Sequence, residues 1–227
     1  EKEQREGFNM AKPPLIRFRL IQRGAKDYEF VRSFHHILMD AWCVSLVMMD
    51  FINVYEEIVR GVTPTLKPPR PYRDYIAWLQ AQDNSHSEAF WKQRLSDVTA
   101  PTPTPIEKSP RKNQYSDAVR VDDVSIRLTQ EQTKKLHAYC RQEEITPNTF
   151  FQGVWALLLG RYSGLDDVIF GVTVSGRPPN LAGVEAMVGL FINTQPLRIH
   201  ISKNTLLSSW LQRIQHDNLA MREHEHT

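Results

Sequence analysis

The tightest constraint on this chain is a change of hydrophobic period at a single corner. Within Pro13 to Gln22, Ile16, Phe18 and Leu20 alternate with Arg17 and Arg19, the period-two pattern of a half-buried strand, and Tyr28 to Phe34 reads as a second strand. His35-His36-Ile37-Leu38-Met39-Asp40-Ala41-Trp42 follows directly, and from there Val44, Val47, Met48, Phe51, Tyr55 and Ile58 recur at helical spacing as far as Gly61. A backbone that passes from strand to helix within so few residues must turn sharply. The two histidines sit at that turn, and the fold class is α/β.

The remaining pattern supplies more of both element types. Pro64, Pro68, Pro69 and Pro71 make a stiff connection to aromatic-rich helical stretches at Tyr72 to Gln82 and Ser87 to Leu95. Thr99 to Pro110 reads as an extended linker, because each proline fixes its own φ and disfavours helix at the residue before it. The expected division therefore falls there, with one lobe over residues 1–106 and another over residues 107–227. Val119 to Leu128 suggests a strand, and Thr129 with Gln132 makes a capping-box start to a helix that ends near Glu144. Thr146 and Pro147 then open a helix whose Phe150, Phe151, Val154, Trp155, Leu158 and Leu159 predict a wide buried face up to Gly164. Val168 to Val174 and Leu190 to Ile199 are strand-like, and Leu206 to Met221 returns to helical spacing. Trp78, Trp91, Trp155 and Trp210 are expected in core packing.

Several classes of function are excluded by composition. Lys plus Arg number 28 against 26 Asp plus Glu, and the basic residues are scattered, so nucleic acid is not an implied partner. No apolar run approaches the roughly 20 residues that span a bilayer, and no membrane association is expected. Cys43 and Cys140 lie in apolar segments without ligand-like spacing, as free buried thiols of a reducing compartment do; the expected location is the cytoplasm. His224-x-His226 lacks a third ligand of suitable spacing and reads as a solvated helix end, so no metal is expected. A start at Glu1 without Met and an end at Thr227 point to a fragment of a larger domain.

The corner also carries the chemistry. A histidine side chain titrates near pH 6.5, so its neutral form can accept a proton from an attacking amine or alcohol at physiological pH. Standing alone, His-His-x-x-x-Asp reads more readily as two packing histidines than as a catalytic site.

Its context is more specific. His35 to Cys43 resembles the HHxxxDGWS signature of the condensation domains of nonribosomal peptide synthetases. Tyr72 to Trp78 resembles the family's YxDYAxW element, and Val188 to Arg198 resembles its VGxFINTxPxR element. Phe170 to Pro178 is similar to the FGxTVSGRP stretch of those condensation domains that join two L-residues. The family's first two motifs have no counterpart before His35, and its last would lie beyond Thr227.

The resemblance implies a two-lobed, V-shaped sandwich of the chloramphenicol acetyltransferase type with a tunnel between the lobes, here incomplete at both ends. It implies amide formation between a donor acyl thioester and the amine of an acceptor aminoacyl thioester. Both are carried on 4'-phosphopantetheine of upstream and downstream peptidyl carrier proteins, beside an adenylation domain, with no tightly bound cofactor. His36 would be the catalytic histidine, while His35, Asp40, Ala41 and Trp42 support the motif. The motif aspartate pairs with an arginine in the family, and Arg177 is the candidate here. Ser175, Asn193 and Gln195 would line the tunnel. Ala41 replaces the usual glycine, where a methyl is expected to strain the turn or narrow the amine's approach. Cys43 replaces the more frequent serine and is assigned no catalytic role. Other readings are a stand-alone acyltransferase using coenzyme A or a carrier thioester, against which the YxDYxxW and FINTxP elements argue, and a non-catalytic docking platform.

Overall fold

The computed structural model describes residues 6–104 and 124–226. They fall into two compact units. The first comprises residues up to Asp83 together with Ser175–Asn193 and His226; the second comprises Asn84–Val174 and Thr194–Glu225. This grouping differs from a division at the proline-rich segment, because the chain returns to the first unit after Val174.

In the first unit, β1 (Ile16–Gln22) and β2 (Tyr28–Phe34) form an antiparallel pair running from Ile16 opposite Phe34 to Gln22 opposite Tyr28. Arg23 N–H donates to the Asp27 carbonyl at 2.8 Å across the connecting turn. A 3-10 turn over His36–Leu38 leads into α1 (Ala41–Val59). Asp40 caps that helix by accepting from Cys43 N–H at 3.1 Å, which satisfies a donor that has no partner within the helix. The chain leaves α1 at Gly61, whose φ of 73° lies in the left-handed region. α2 (Tyr72–Gln80) packs Tyr72, Tyr75 and Trp78 against Leu181, Val184, Met187 and Phe191.

The second unit contains α3 (Ser85–Arg94), α4 (Gln130–Gln142), α5 (Pro147–Ser163), β3 (Asp167–Val174), β4 (Asn193–His200) and α6 (Leu207–Arg222), with β3 and β4 forming a two-stranded sheet. The Thr129–Gln132 capping box forms in both directions, at 3.2 and 2.8 Å. Thr146 caps α5, Pro147 stands in its first turn and Gly164 ends it with φ 74°. The core joins Cys140, Ile145, Ala156, Leu159, Val168, Leu197, Ile199, Trp210, Leu211 and Ile214.

Three expectations require correction. The buried side of α5 is Thr149, Gln152, Gly153, Ala156 and Leu159, whereas Phe151, Val154, Trp155 and Leu158 are exposed. Small residues win because α6 approaches closely: a Cβ at Gly153 would stand 2.6 Å from Leu211 Cδ2 and 3.1 Å from Trp210 Cζ3. Trp155 is accordingly 48% exposed rather than a core residue, while Trp210 is 5% exposed and its indole N–H donates to the His200 carbonyl at 2.8 Å. Residues 124–128 are not a strand, and residues 119–123 of that expected strand lie outside the described residues. Of the expected linker, residues 105–110 also lie outside them; Thr102 Oγ1 accepts from Ile169 N–H at 2.8 Å.

Candidate active site

Each residue of the His-His corner does something different. His35 ends β2 and its Nδ1 accepts from Ile37 N–H at 3.1 Å, while its ring meets Phe8 edge-on at 6.3 Å. His36 opens the 3-10 turn and is exposed. Among the described residues its imidazole makes no hydrogen bond or ion pair.

Behind the corner, Asp40 is 1% exposed. Its Oδ1 accepts from Cys43 N–H and its Oδ2 from Phe191 N–H, both at 3.1 Å, and its own N–H donates to the Gly189 carbonyl at 3.3 Å. Arg177 Nη2 lies 3.5 Å from Asp40 Oδ1, and the two side chains are 6% and 1% exposed. Burial alone would raise the Asp40 pKa. Hydrogen bonds from Cys43 and Phe191, with the Arg177 charge, outweigh it and hold the carboxyl below its ordinary range.

Both terminal nitrogens of Arg177 are held. Nη1 donates to the carbonyls of Val184 and Met187, Nη2 donates to Cys43 Sγ at 3.0 Å, and the guanidinium carbon lies 3.9 Å from the Phe191 ring centroid. Gly176 makes this possible. Its φ is +60°, and a Cβ there would collide with the Phe191 carbonyl oxygen. Trp42 is 54% exposed, yet its indole N–H donates to the Glu185 carbonyl at 2.9 Å. The segment Gly183–Phe191 is thus tied to the start of α1 by three side chains, those of Asp40, Trp42 and Cys43, that follow the corner histidines closely in sequence.

Ala41 does not fit its expectation. It is the first residue of α1, it is exposed, and its φ is not positive. The side-chain cap at Asp40 already sets the turn, so position 41 has no need of glycine. Of the three residues expected near substrate, Ser175 is exposed and Asn193 is half-buried at the start of β4. Gln195 is 3% exposed, and its Nε2 donates to the carbonyls of Met221 and His224 at 3.3 and 2.8 Å. Its amide therefore anchors the end of α6.

Sequence reasoning also missed His224. It is 4% exposed rather than solvated, its Nδ1 is 2.8 Å from Ser87 Oγ, and its ring stacks on Phe90 with centroids 4.0 Å apart. Among the described residues no group of three or more His, Cys, Asp or Glu side chains is placed to hold a metal ion. No described helix is long and apolar enough to cross a membrane.

The α/β chain thus carries an exposed histidine on a strand-to-helix corner with a buried Asp–Arg pair behind it. The family profile described as "Condensation domain" matches residues 1–227, and the chain belongs to that family. It is 38% identical over 227 residues to a linear gramicidin synthase of Brevibacillus parabrevis, a match that covers 100% of this chain and 4% of that protein. The X-domain from teicoplanin biosynthesis superposes with a TM-score of 0.82 at 22% identity, over 98% of this chain and 51% of that one. The first condensation domain of the CDA synthetase gives 0.75 at 20% identity, over 97% and 48%. These superpositions establish the fold. The chain spans about half the length of each solved structure and a small fraction of the synthase.

Proposed function

We propose that this chain is part of a condensation domain that forms an amide bond between a donor acyl thioester and the amine of an acceptor aminoacyl thioester, each held on the phosphopantetheine of a carrier protein. The observation that carries the reading is the exposed His36, unengaged among the described residues, on a corner locked from behind by Asp40 and Arg177. A catalytic imidazole needs a fixed backbone and a free ring, and the corner supplies both.

In the reaction, the acceptor nitrogen attacks the thioester carbonyl, the carbon–sulfur bond breaks and the donor's pantetheine leaves as a thiol. His36 takes the proton released by the amine and returns it to the leaving sulfur. Because the thioester is already activated, holding the two reactants together supplies much of the rate, and the imidazole adds to it. Asp40, Arg177 and Trp42 hold the corner.

The exposed apolar side chains of Phe18, Leu20, Phe51, Tyr55, Phe151 and Trp155, with the half-length match to solved relatives, support a larger domain around this chain. The test is direct: the full-length protein is supplied with aminoacyl thioesters on both carriers and the product read by mass spectrometry. A new amide supports the reading. Loaded carriers that yield none despite an intact fold favour a non-catalytic platform.

A further inference from the structure

We infer that Cys43 is a positioning residue for amide formation: its side chain is the joint that holds the His36-bearing corner to the loop around Gly189. This rests on the reaction proposed above. Sequence gives Cys43 the part of a small buried hydrophobe, and the structure gives it more contacts than that part requires.

Cys43 is fully buried in the first turn of α1. Its sulfur accepts from Arg177 Nη2 at 3.0 Å and from Gly189 N–H at 3.3 Å, and its S–H donates to the Gly189 carbonyl at 3.1 Å. Its backbone N–H donates to the Asp40 carboxylate. One residue therefore serves both members of the buried ion pair, the carboxylate through its backbone and the guanidinium through its side chain. Burial raises the thiol pKa, so the proton needed for the bond to Gly189 stays on sulfur at neutral pH.

The joint lies close to the reacting group. Only Ile37, Leu38 and the buried Met39 separate His36 from Asp40, so a shift at positions 40 and 43 passes to the imidazole through a short stretch of backbone. No apolar side chain can replace the thiol. Valine would fill the space but leave the Gly189 N–H and a guanidinium N–H buried without acceptors, and alanine would add a void. Serine keeps one donor and two acceptor lone pairs at the same place.

The test compares Cys43→Ala, Cys43→Val and Cys43→Ser in the full-length protein. It measures kcat and KM for amide formation from carrier-bound substrates, and hydrogen exchange at the Gly189 amide. Cys43→Ala is expected to lower kcat about tenfold with KM little changed and to speed Gly189 exchange about tenfold, because the Gly189 N–H loses its acceptor. Cys43→Val should do the same without the void, which keeps the test decisive if Cys43→Ala does not fold. Cys43→Ser should recover most of both. Parental kcat and parental Gly189 protection in Cys43→Val would overturn the assignment, as would equal losses in the serine and valine variants. If the parent itself forms no amide, the reaction reading fails, and Gly189 exchange still decides whether the thiol is the joint.

Discussion

Arg177 reaches Asp40 from a distant part of the chain, with Nη2 3.5 Å from Oδ1 and both side chains almost completely removed from solvent. Removing either partner leaves the other charge buried, and Asp40→Asn should cost roughly 3–5 kcal/mol of stability. A double-mutant cycle of Asp40→Asn and Arg177→Gln, followed by denaturant unfolding, should show a coupling above about 1 kcal/mol. Purely additive effects would show that the arginine serves the Val184 and Met187 carbonyls and the Cys43 sulfur rather than Asp40.

The two histidines of the corner should separate in activity. His36→Ala should lower amide formation roughly a hundredfold, a typical contribution for a general acid or base. His35→Gln should cost much less, because glutamine can keep an acceptor for Ile37 N–H. Equal losses would remove the distinction between a reacting and a supporting histidine.

Restoring the family glycine at position 41 should leave turnover unchanged. Ala41 has helical backbone in the first turn of α1, so no strain is available for glycine to relieve. Ala41→Gly should lower stability by about 0.5–1 kcal/mol through unfolded-chain freedom and lost helix propensity, read as a lower thermal midpoint. A gain in kcat would mean that the methyl obstructs the substrate.

Gly176→Ala should be more damaging. Position 176 combines φ of +60° with a Phe191 carbonyl where the Cβ would stand, and neither backbone segment can yield freely because Phe191 N–H is bonded to Asp40. A loss of roughly 1–3 kcal/mol is expected in denaturant unfolding. Unchanged stability would show that the loop relaxes without cost.

Stability should fall as pH drops below about 6.5. Burial lowers the His224 pKa, the neighbouring His86 lowers it further and Glu223 opposes both; burial also lowers that of His226. With the folded pKa below the unfolded one, the unfolded chain binds more protons as pH descends through the ordinary imidazole range, so acid favours unfolding. Thermal midpoints between pH 8 and 5 should decline, and His224→Gln should flatten part of the slope. An equal slope in that variant would assign the effect to other groups.

Local chemistry made several element boundaries legible, although the strand expected from Leu190 begins only at Asn193. Tyr28–Phe34 occupies its expected span, Thr129 with Gln132 forms the expected capping box, and Thr146, Pro147 and Gly164 bracket their helix, because period and caps act over three or four residues. The ordered motifs around His36, Tyr72 and Gly189 likewise carried the family. Burial was less legible. The large apolar residues of α5 pointed to one face, but close approach by α6 selects Gly153 and Ala156 instead. Gln195 and His224 became anchoring groups only when the end of α6 met β4 and α3. Sequence could name Cys43 as buried; it could not place Arg177 and Gly189 against its sulfur, since those contacts exist only after distant segments of the chain have packed together.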